Sequence, residues 1–140
     1  MNTRILSLRP QHRSSHGFTL IELMVVVVIV AILASIAIPS YRQHVIKSNR
    51  AAAESFMLQI ANKEEQYRLD ARNYTDIIGT GGLNLTTPAD VNARYVINIA
   101  NLSNTSYTIT AVPTAMQNDT LCGTLTLDQA GVKTPAGNCW

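Results

Sequence analysis

The chain has 140 residues, which leaves room for one membrane-rooted helix and one small domain rather than two globular units. Its formal charge is +2, but three of its 11 basic residues and none of its 9 acidic residues precede Phe18. The chain from Phe18 onward therefore has 8 basic and 9 acidic residues, a net charge of −1. From Ala51 onward five basic residues stand against eight acidic ones, so we expect no nucleic-acid partner.

The first predicted element is an apolar helix that contains a single acid. Phe18 to Ile38 spans 21 residues, and Glu22 is the only charged residue among them. This length is enough for a helix to cross a bilayer. A carboxylate inside a membrane helix costs roughly 2 to 4 kcal/mol, so we expect Glu22 to have a partner. A secretory signal peptide would place its cleavage site after a shorter apolar core, and a simple membrane anchor explains the length but not the acid.

The helix is predicted to continue beyond the apolar run. Pro39 cannot donate a hydrogen bond to the carbonyl of Ser35, which predicts a bend rather than an end. The segment 41–71 has no glycine or proline, and its apolar residues form one helical stripe that we expect to pack beneath a sheet: Val45, Ala52, Phe56, Ile60 and Tyr67. The charged residues Lys63, Glu64, Glu65 and Arg68 are interpreted as the solvated face, with Glu64 supported by Arg68 four residues later.

Three later segments are rich in Val, Ile, Thr and Tyr and predict strands of an antiparallel meander: 94–99, 106–112 and 121–127. Before them, Asn73 to Asp76 and the glycines of 79–82 predict the end of the helix and a loop. After them, 128–131 predicts a turn into a short returning strand at Val132 and Lys133. Alternate residues of each strand can face the helix stripe.

The six residues Gly17-Phe18-Thr19-Leu20-Ile21-Glu22 resemble the processing site of class III signal sequences, which occur on type IV pilins and type II secretion pseudopilins. The resemblance implies that a prepilin peptidase cuts between Gly17 and Phe18 and that the new Phe18 amine is N-methylated. It also implies that Glu22 meets the Phe18 amine of a neighbouring subunit in a filament core. The partners of the chain would then be other pilin subunits, the peptidase, the inner membrane and the pilus assembly platform.

The C-terminal segment Cys122 to Gly131, closing on Cys139-Trp140, is similar to PilE-type minor pilins of Gram-negative bacteria. The resemblance implies an α+β ladle fold, in which a long N-terminal helix, membrane-spanning in its first half, packs on a small antiparallel sheet. The implied organisation is a leader at 1–17, a helix at 18–72 with its transmembrane part at 18–40, and a globular β domain at 73–140. Many pilins have a glycine where this chain has Ala31, so the sequence does not decide whether the helix melts locally between Ala31 and Pro39.

The two cysteines indicate the side of the membrane on which the C-terminal domain lies. Basic residues flank both ends of the apolar run, so charge does not decide the orientation. Cys122 and Cys139 enclose 16 residues, and an isolated pair in an exported domain is typical of a disulfide, although two unpaired buried thiols are the alternative. We therefore expect the domain in the periplasm on a single-pass inner-membrane anchor, and later in the extracellular pilus, with a disulfide-bounded loop at 122–139.

These residues predict a structural protein. We expect a minor pilin needed for pilus assembly, serving twitching, adhesion or DNA uptake; the alternatives are a major pilin or a type II secretion pseudopilin. The sequence shows no spacing of catalytic residues or of metal ligands, so we expect no enzyme, no catalytic residue, no metal site and no cofactor. The assembly residues are then Glu22 and Pro39.

Overall fold

The structure is a computed structural model that describes residues 17–140, so the predicted leader lies outside the described residues except for Gly17. The chain divides into two compact units between Ile38 and Pro39. In chain order the described elements are α1 (Leu20–Ala71), α2 (Ala89–Arg94), β1 (Tyr95–Ala100), β2 (Thr108–Pro113), β3 (Leu125–Asp128) and β4 (Lys133–Thr134).

Helix α1 ends where its backbone turns left-handed. From Tyr41 onward it consists mainly of residues that favour helices. Arg72 then takes a φ of 57°, and its amide donates to the carbonyl of Arg68 at 2.9 Å. This contact satisfies one of the carbonyls that the end of a helix leaves open, as a left-handed C-terminal cap does.

The strands form one four-stranded antiparallel sheet in the order β1-β2-β3-β4. The register places Ile97 opposite Ala111 and Ala111 opposite Leu125. A second row runs through Ile99, Ile109 and Leu127. Because side chains alternate along a strand, these two rows share one face of the sheet. The predicted meander is confirmed.

That face packs on the second-unit part of α1 to form the hydrophobic core. The helix contributes Ala53, Phe56, Met57 and Ile60, which are spaced three or four residues apart and are buried. The rings of Tyr74 and Tyr107 meet edge to face, with centroids 4.7 Å apart. The expected α+β architecture, a long helix packed on a small antiparallel sheet, is therefore confirmed.

The prediction that Glu64 lies on the solvated face is wrong. Its side chain is 0% exposed, because it follows Ile60 by four residues and so continues the buried stripe. Its Oε2 accepts a hydrogen bond from the backbone amide of Thr75 at 3.2 Å, which fixes the loop after α1. The expected support from Arg68 does not form, since Arg68 donates to the Tyr74 hydroxyl instead.

Several predicted bounds near the sheet also differ from the structure. The second strand begins at Thr108 rather than at 106, and the returning strand is Lys133–Thr134 rather than Val132 and Lys133. Residues 121–124 were predicted as strand but form a turn, in which Gly123 has a φ of 62°. The helix α2 was not predicted, and because it ends at Arg94 the first strand begins at Tyr95. In the loop before α2, a Cβ on Gly82 would overlap the carbonyl oxygen of Ile77, so only glycine fits there without a shift.

Candidate functional site

The predicted processing site lies immediately before α1. Phe18 is 82% exposed, and Thr19 begins the helix by accepting a hydrogen bond from the amide of Glu22 at its Oγ1, at 3.3 Å. This is the Ser/Thr cap with an acid three residues later that is favoured at helix N-termini. The negative charge of Glu22 therefore lies in the first turn, where the helix dipole favours it.

The first unit presents an apolar helical surface that no described residue covers. Between residues 18 and 38 all large hydrophobic side chains are exposed, among them Leu20, Ile21, Val27, Leu33 and Ile36. The helix is long and apolar enough to cross a membrane. Within residues 17–140, Glu22 forms no ion pair. A continuous apolar surface of this kind needs lipid or other helices around it.

Pro39 lies inside α1, and the helix continues on both sides of it. Four residues earlier, the hydroxyl of Ser35 donates to the carbonyl of Ile32 at 2.7 Å. Pro39 has no amide hydrogen, so it cannot make the hydrogen bond that a helical residue makes to the carbonyl four residues earlier. The predicted bend and the assembly role of Pro39 stay predictions.

In the second unit Cys122 and Cys139 form a disulfide, with their Cα atoms 5.6 Å apart. The segment that the disulfide encloses contains β3 and β4. At its end, the indole of Trp140 donates to the carbonyl of Thr134 at 3.0 Å. The ammonium of Lys133 lies 4.9 Å from the centre of the Trp140 ring, within reach of a cation–π interaction.

A buried ion pair joins the loop immediately before Cys122 to α1. The Nε and Nη2 of Arg50 donate to the two carboxylate oxygens of Asp119 at 2.8 and 2.9 Å. Asp119 also accepts hydrogen bonds from the Tyr95 hydroxyl at 3.0 Å and the Cys122 amide at 3.2 Å. Four donors therefore satisfy one carboxylate, and the two-pronged geometry is the strong form of an arginine–carboxylate contact.

The titration of the buried pair follows from these contacts. Burial alone would raise the pKa of Asp119, but the hydrogen bonds from Arg50, Cys122 and Tyr95 outweigh it, and the pKa is lowered. The hydrogen bond to Asp119 is the largest cause of the raised pKa of Arg50. Burial, followed by the hydrogen bond to Asp119, raises the pKa of Tyr95 to about 12. At neutral pH the pair is ionised and the phenol is neutral.

Gln117 extends the ion pair into a network. Its Nε2 donates to the Tyr95 hydroxyl at 3.1 Å and to the carbonyl of Ile46 at 2.9 Å, while its Oε1 accepts from Asn49 at 3.0 Å. Sequence reasoning missed this network. Asp119 and Arg50 are 69 positions apart, and the only available signal was a helical arginine on the side of the apolar stripe.

A family model described as "Type IV minor pilin ComP, DNA uptake sequence receptor" matches residues 39–126, and the prokaryotic N-terminal methylation motif matches residues 12–38. The chain therefore belongs to the type IV pilin family, and a minor-pilin subtype fits it. The members are structural subunits, so the chain is not an enzyme.

The relatives include both type IV pilins and a type II secretion protein. The type IV wide pilus major component PilA4 of Thermus thermophilus is 34% identical over 64% of this chain and 70% of its own length. The type IV major pilin protein PilE1 of Neisseria gonorrhoeae is 30% identical over 74% of this chain and 61% of its own. The type II secretion system core protein G of Aeromonas hydrophila is 39% identical over 46% of this chain and 45% of its own. Except for PilA4, the chain spans about half to three fifths of these relatives.

A solved structure agrees with the fold. The type IV pilin from Shewanella oneidensis superposes with a TM-score of 0.54 and 27% identity, covering 68% of this chain and 97% of that one. The matched family thus supports a structural subunit of a pilus or of a related pseudopilus, with an apolar N-terminal helix consistent with membrane anchoring before assembly.

Proposed function

We propose that this chain is a minor pilin of a type IV pilus. A prepilin peptidase cuts it between Gly17 and Phe18, and the Phe18 amine is methylated. Before assembly the chain is a single-pass protein of the inner membrane, with its domain in the periplasm. It then enters the filament with other pilin subunits at the assembly platform. The uncovered apolar surface of α1, with Glu22 as its only charge, is the observation that carries the proposal.

Assembly follows from what this surface can contact. In lipid the apolar side chains are already in a hydrocarbon environment, so moving them among other helices costs little, and close packing favours association. Glu22 is different, because an unpaired carboxylate in such surroundings is expensive. Cleavage creates an amine at Phe18, and a neighbouring subunit that brings this amine to Glu22 neutralises both charges. The pair then fixes the axial position of one subunit on the next.

Replacing Glu22 by alanine tests this role. Removing one partner of a buried charge pair costs about 3–5 kcal/mol, because the other charge is left uncompensated. We therefore expect Glu22→Ala to be cleaved normally, yet to appear in sheared pili at least tenfold less than the wild type. Quantitative immunoblots of pilus and membrane fractions measure both steps. Asp70→Ala, which removes an exposed acid outside the apolar run, is the matched control and should leave incorporation unchanged.

Normal incorporation of Glu22→Ala would refute the pairing. The class of subunit is tested separately by mass spectrometry of sheared pili, with a search for a peptide that begins at methylated Phe18. Trace abundance relative to the main subunit supports a minor pilin. Dominance would identify a major pilin, and a processed chain that stays in the membrane would identify a secretion pseudopilin.

Binding of DNA is a second candidate function. The family model that matches residues 39–126 is described as a DNA uptake sequence receptor. The excess of acidic over basic residues from Ala51 onward is a weaker argument against DNA binding than the sequence suggested. Two of the acidic residues, Glu64 and Asp119, are buried, and Arg42 and Lys47 add positive charge to the same unit before Ala51. Binding of a DNA duplex should weaken as salt rises, because phosphate contacts release counterions. A duplex affinity that does not change with salt, or no binding at low salt, would exclude this function.

A further inference from the structure

The second unit has a groove of about 300 Å³ beside the start of its part of α1. Residues from α1, α2 and the loop after β2 line it, and this set is called the Arg42 groove: Tyr41, Arg42, Val45, Ile46, Asn49, Arg94, Met116, Gln117 and Asn118. Its volume is at the lower end of the range for pockets that take small ligands. A headgroup-sized ligand would fit it better than a folded partner.

The lining combines two positive charges with an apolar wall. Arg42 and Arg94 are its charged members, and the groove has no acidic lining residue within the part of the chain that the structure describes. Arg94 is held in place by the hydrogen bond from its Nη1 to the carbonyl of Met116 at 3.2 Å. No described residue accepts a hydrogen bond from the Arg42 side chain, so its guanidinium is available to a ligand. Guanidinium groups suit phosphate oxygens, with which they form two parallel hydrogen bonds.

The back of the groove is preorganised. Gln117 is 2% exposed, and its amide is fixed by Ile46, Asn49 and the Tyr95 hydroxyl. These contacts occupy its polar atoms, so Gln117 acts as a fixed wall rather than a ligand-binding group. The side chains of Val45, Ile46 and Met116 provide the apolar part. An amphipathic ligand with an anionic end matches this combination.

The place of the groove residues in the sequence indicates the source of such a ligand. Arg42 stands four residues after Ile38, the last residue of the apolar run. In a membrane-anchored chain, aromatic and cationic residues directly after the span lie among the lipid headgroups. Arg50, the next arginine, is already neutralised by Asp119. Arg42 therefore remains as a membrane-proximal arginine that is free to meet an anion.

We propose that the Arg42 groove binds the headgroup of an anionic phospholipid, with Arg42 and Arg94 on the phosphate. Tyr41, one residue nearer the apolar run, would contact the first carbons of the acyl chains, and Val45 and Met116 would contact the carbons of the headgroup. This site would hold the domain against the anionic membrane surface before the subunit is extracted into a filament. The inference rests on the proposed membrane-anchored stage. It adds a lipid ligand that the assembly proposal does not require.

The test uses the full chain in micelles of an uncharged detergent. Dihexanoyl phosphatidylglycerol is titrated while the backbone amide signals of Met116 and Asn118 are followed by NMR. We expect saturable shifts, at least tenfold weaker binding of zwitterionic dihexanoyl phosphatidylcholine, and at least tenfold weaker binding of the anionic lipid by the variant R42Q/R94Q. The variant K47Q/K63Q removes two cationic charges outside the groove and should change the affinity less than threefold.

Other outcomes overturn the proposal. Equal binding of both lipids, wild-type affinity in R42Q/R94Q, or no saturable shift would each exclude an anionic-lipid site. Glycerol 3-phosphate binding as tightly as the lipid would identify a phosphate site without lipid contact, and a DNA duplex shifting the same signals while the lipid does not would identify a nucleic-acid site. R42Q alone keeps the contact between Arg94 and Met116, so its affinity decides if R42Q/R94Q does not fold. Pilus incorporation of the wild type is measured apart, so failure of lipid binding is distinguishable from failure of the assembly proposal.

Discussion

Breaking the buried pair between Arg50 and Asp119 should destabilise the second unit strongly. Asp119→Asn keeps the size of the side chain but removes the charge, and it turns one acceptor oxygen into a donor that faces Arg50. Oδ1 accepts from Arg50 and Cys122, and Oδ2 accepts from Arg50 and Tyr95, so whichever oxygen becomes an amide nitrogen leaves two of the four donors without an acceptor. Loss of one partner of a buried pair costs about 3–5 kcal/mol.

Thermal unfolding followed by near-ultraviolet circular dichroism in detergent micelles measures this cost. For a domain of roughly 100 residues, a loss of about 3 kcal/mol lowers the melting temperature by about 12 °C or more. Asp70→Asn removes an exposed acid from the same unit and is the control, with an expected change within about 0.5 kcal/mol. Arg50→Met combined with Asp119→Asn should be more stable than Asp119→Asn alone, because no unpaired buried charge remains.

The pH dependence tests the same pair independently. The folded-state pKa of Asp119 is lowered, so its contribution to stability is complete above the pKa of an unfolded aspartate and is lost as the pH falls through the folded value. The wild type should therefore lose stability on acidification more steeply than Asp119→Asn. If Asp119→Asn melts within the range of Asp70→Asn, or if its acid profile matches that of the wild type, the reasoning about this pair is wrong.

Three further changes have definite expected outcomes. Burial raises the pKa of Glu64, so the folded state loses stability as the pH rises above the pKa of an unfolded glutamate. Glu64→Gln should therefore melt at a higher temperature than the wild type at pH 7 but not at pH 4. Equal melting temperatures at pH 7 would contradict this. Replacing Cys122 and Cys139 by serine should cost about 3 kcal/mol, the loop-closure value for this loop size, in urea unfolding at matched pH; an unchanged midpoint would contradict it. Gly82→Ala should cost about 1–3 kcal/mol in the same assay because its Cβ meets the Ile77 carbonyl, whereas Gly79→Ala, which meets nothing, should cost less.

Periodicity in the sequence predicted the elements whose partners are close along the chain. The helix stripe through Phe56 and Ile60 and the alternation along β1 and β2 are local patterns, and the structure contains them. Glu64 was misassigned because a charged residue normally favours solvent, and only the Thr75 amide, supplied by a later loop, makes its burial possible. Likewise, α2 is only six residues long, too short for a helical pattern to be recognised.

The candidate functional residues likewise fall into two groups, those predicted from neighbouring residues and those that depend on distant contacts. Gly17, Phe18 and Glu22 were predicted from adjacent residues, and their processing and pairing roles remain predictions because they involve a peptidase and a second subunit. The network of Arg50, Gln117 and Asp119 could not be predicted, since it depends on contacts across about 70 positions of sequence.

The strand order has a consequence for how the domain forms. Each strand pairs with the next one along the chain, so the sheet can grow by successive short-range pairings with little loop-closure entropy. The contact between Arg50 and Asp119 closes a loop of 69 positions and has no such advantage. We therefore expect the ion pair to form after the sheet, and so to slow unfolding of the domain more than it speeds folding.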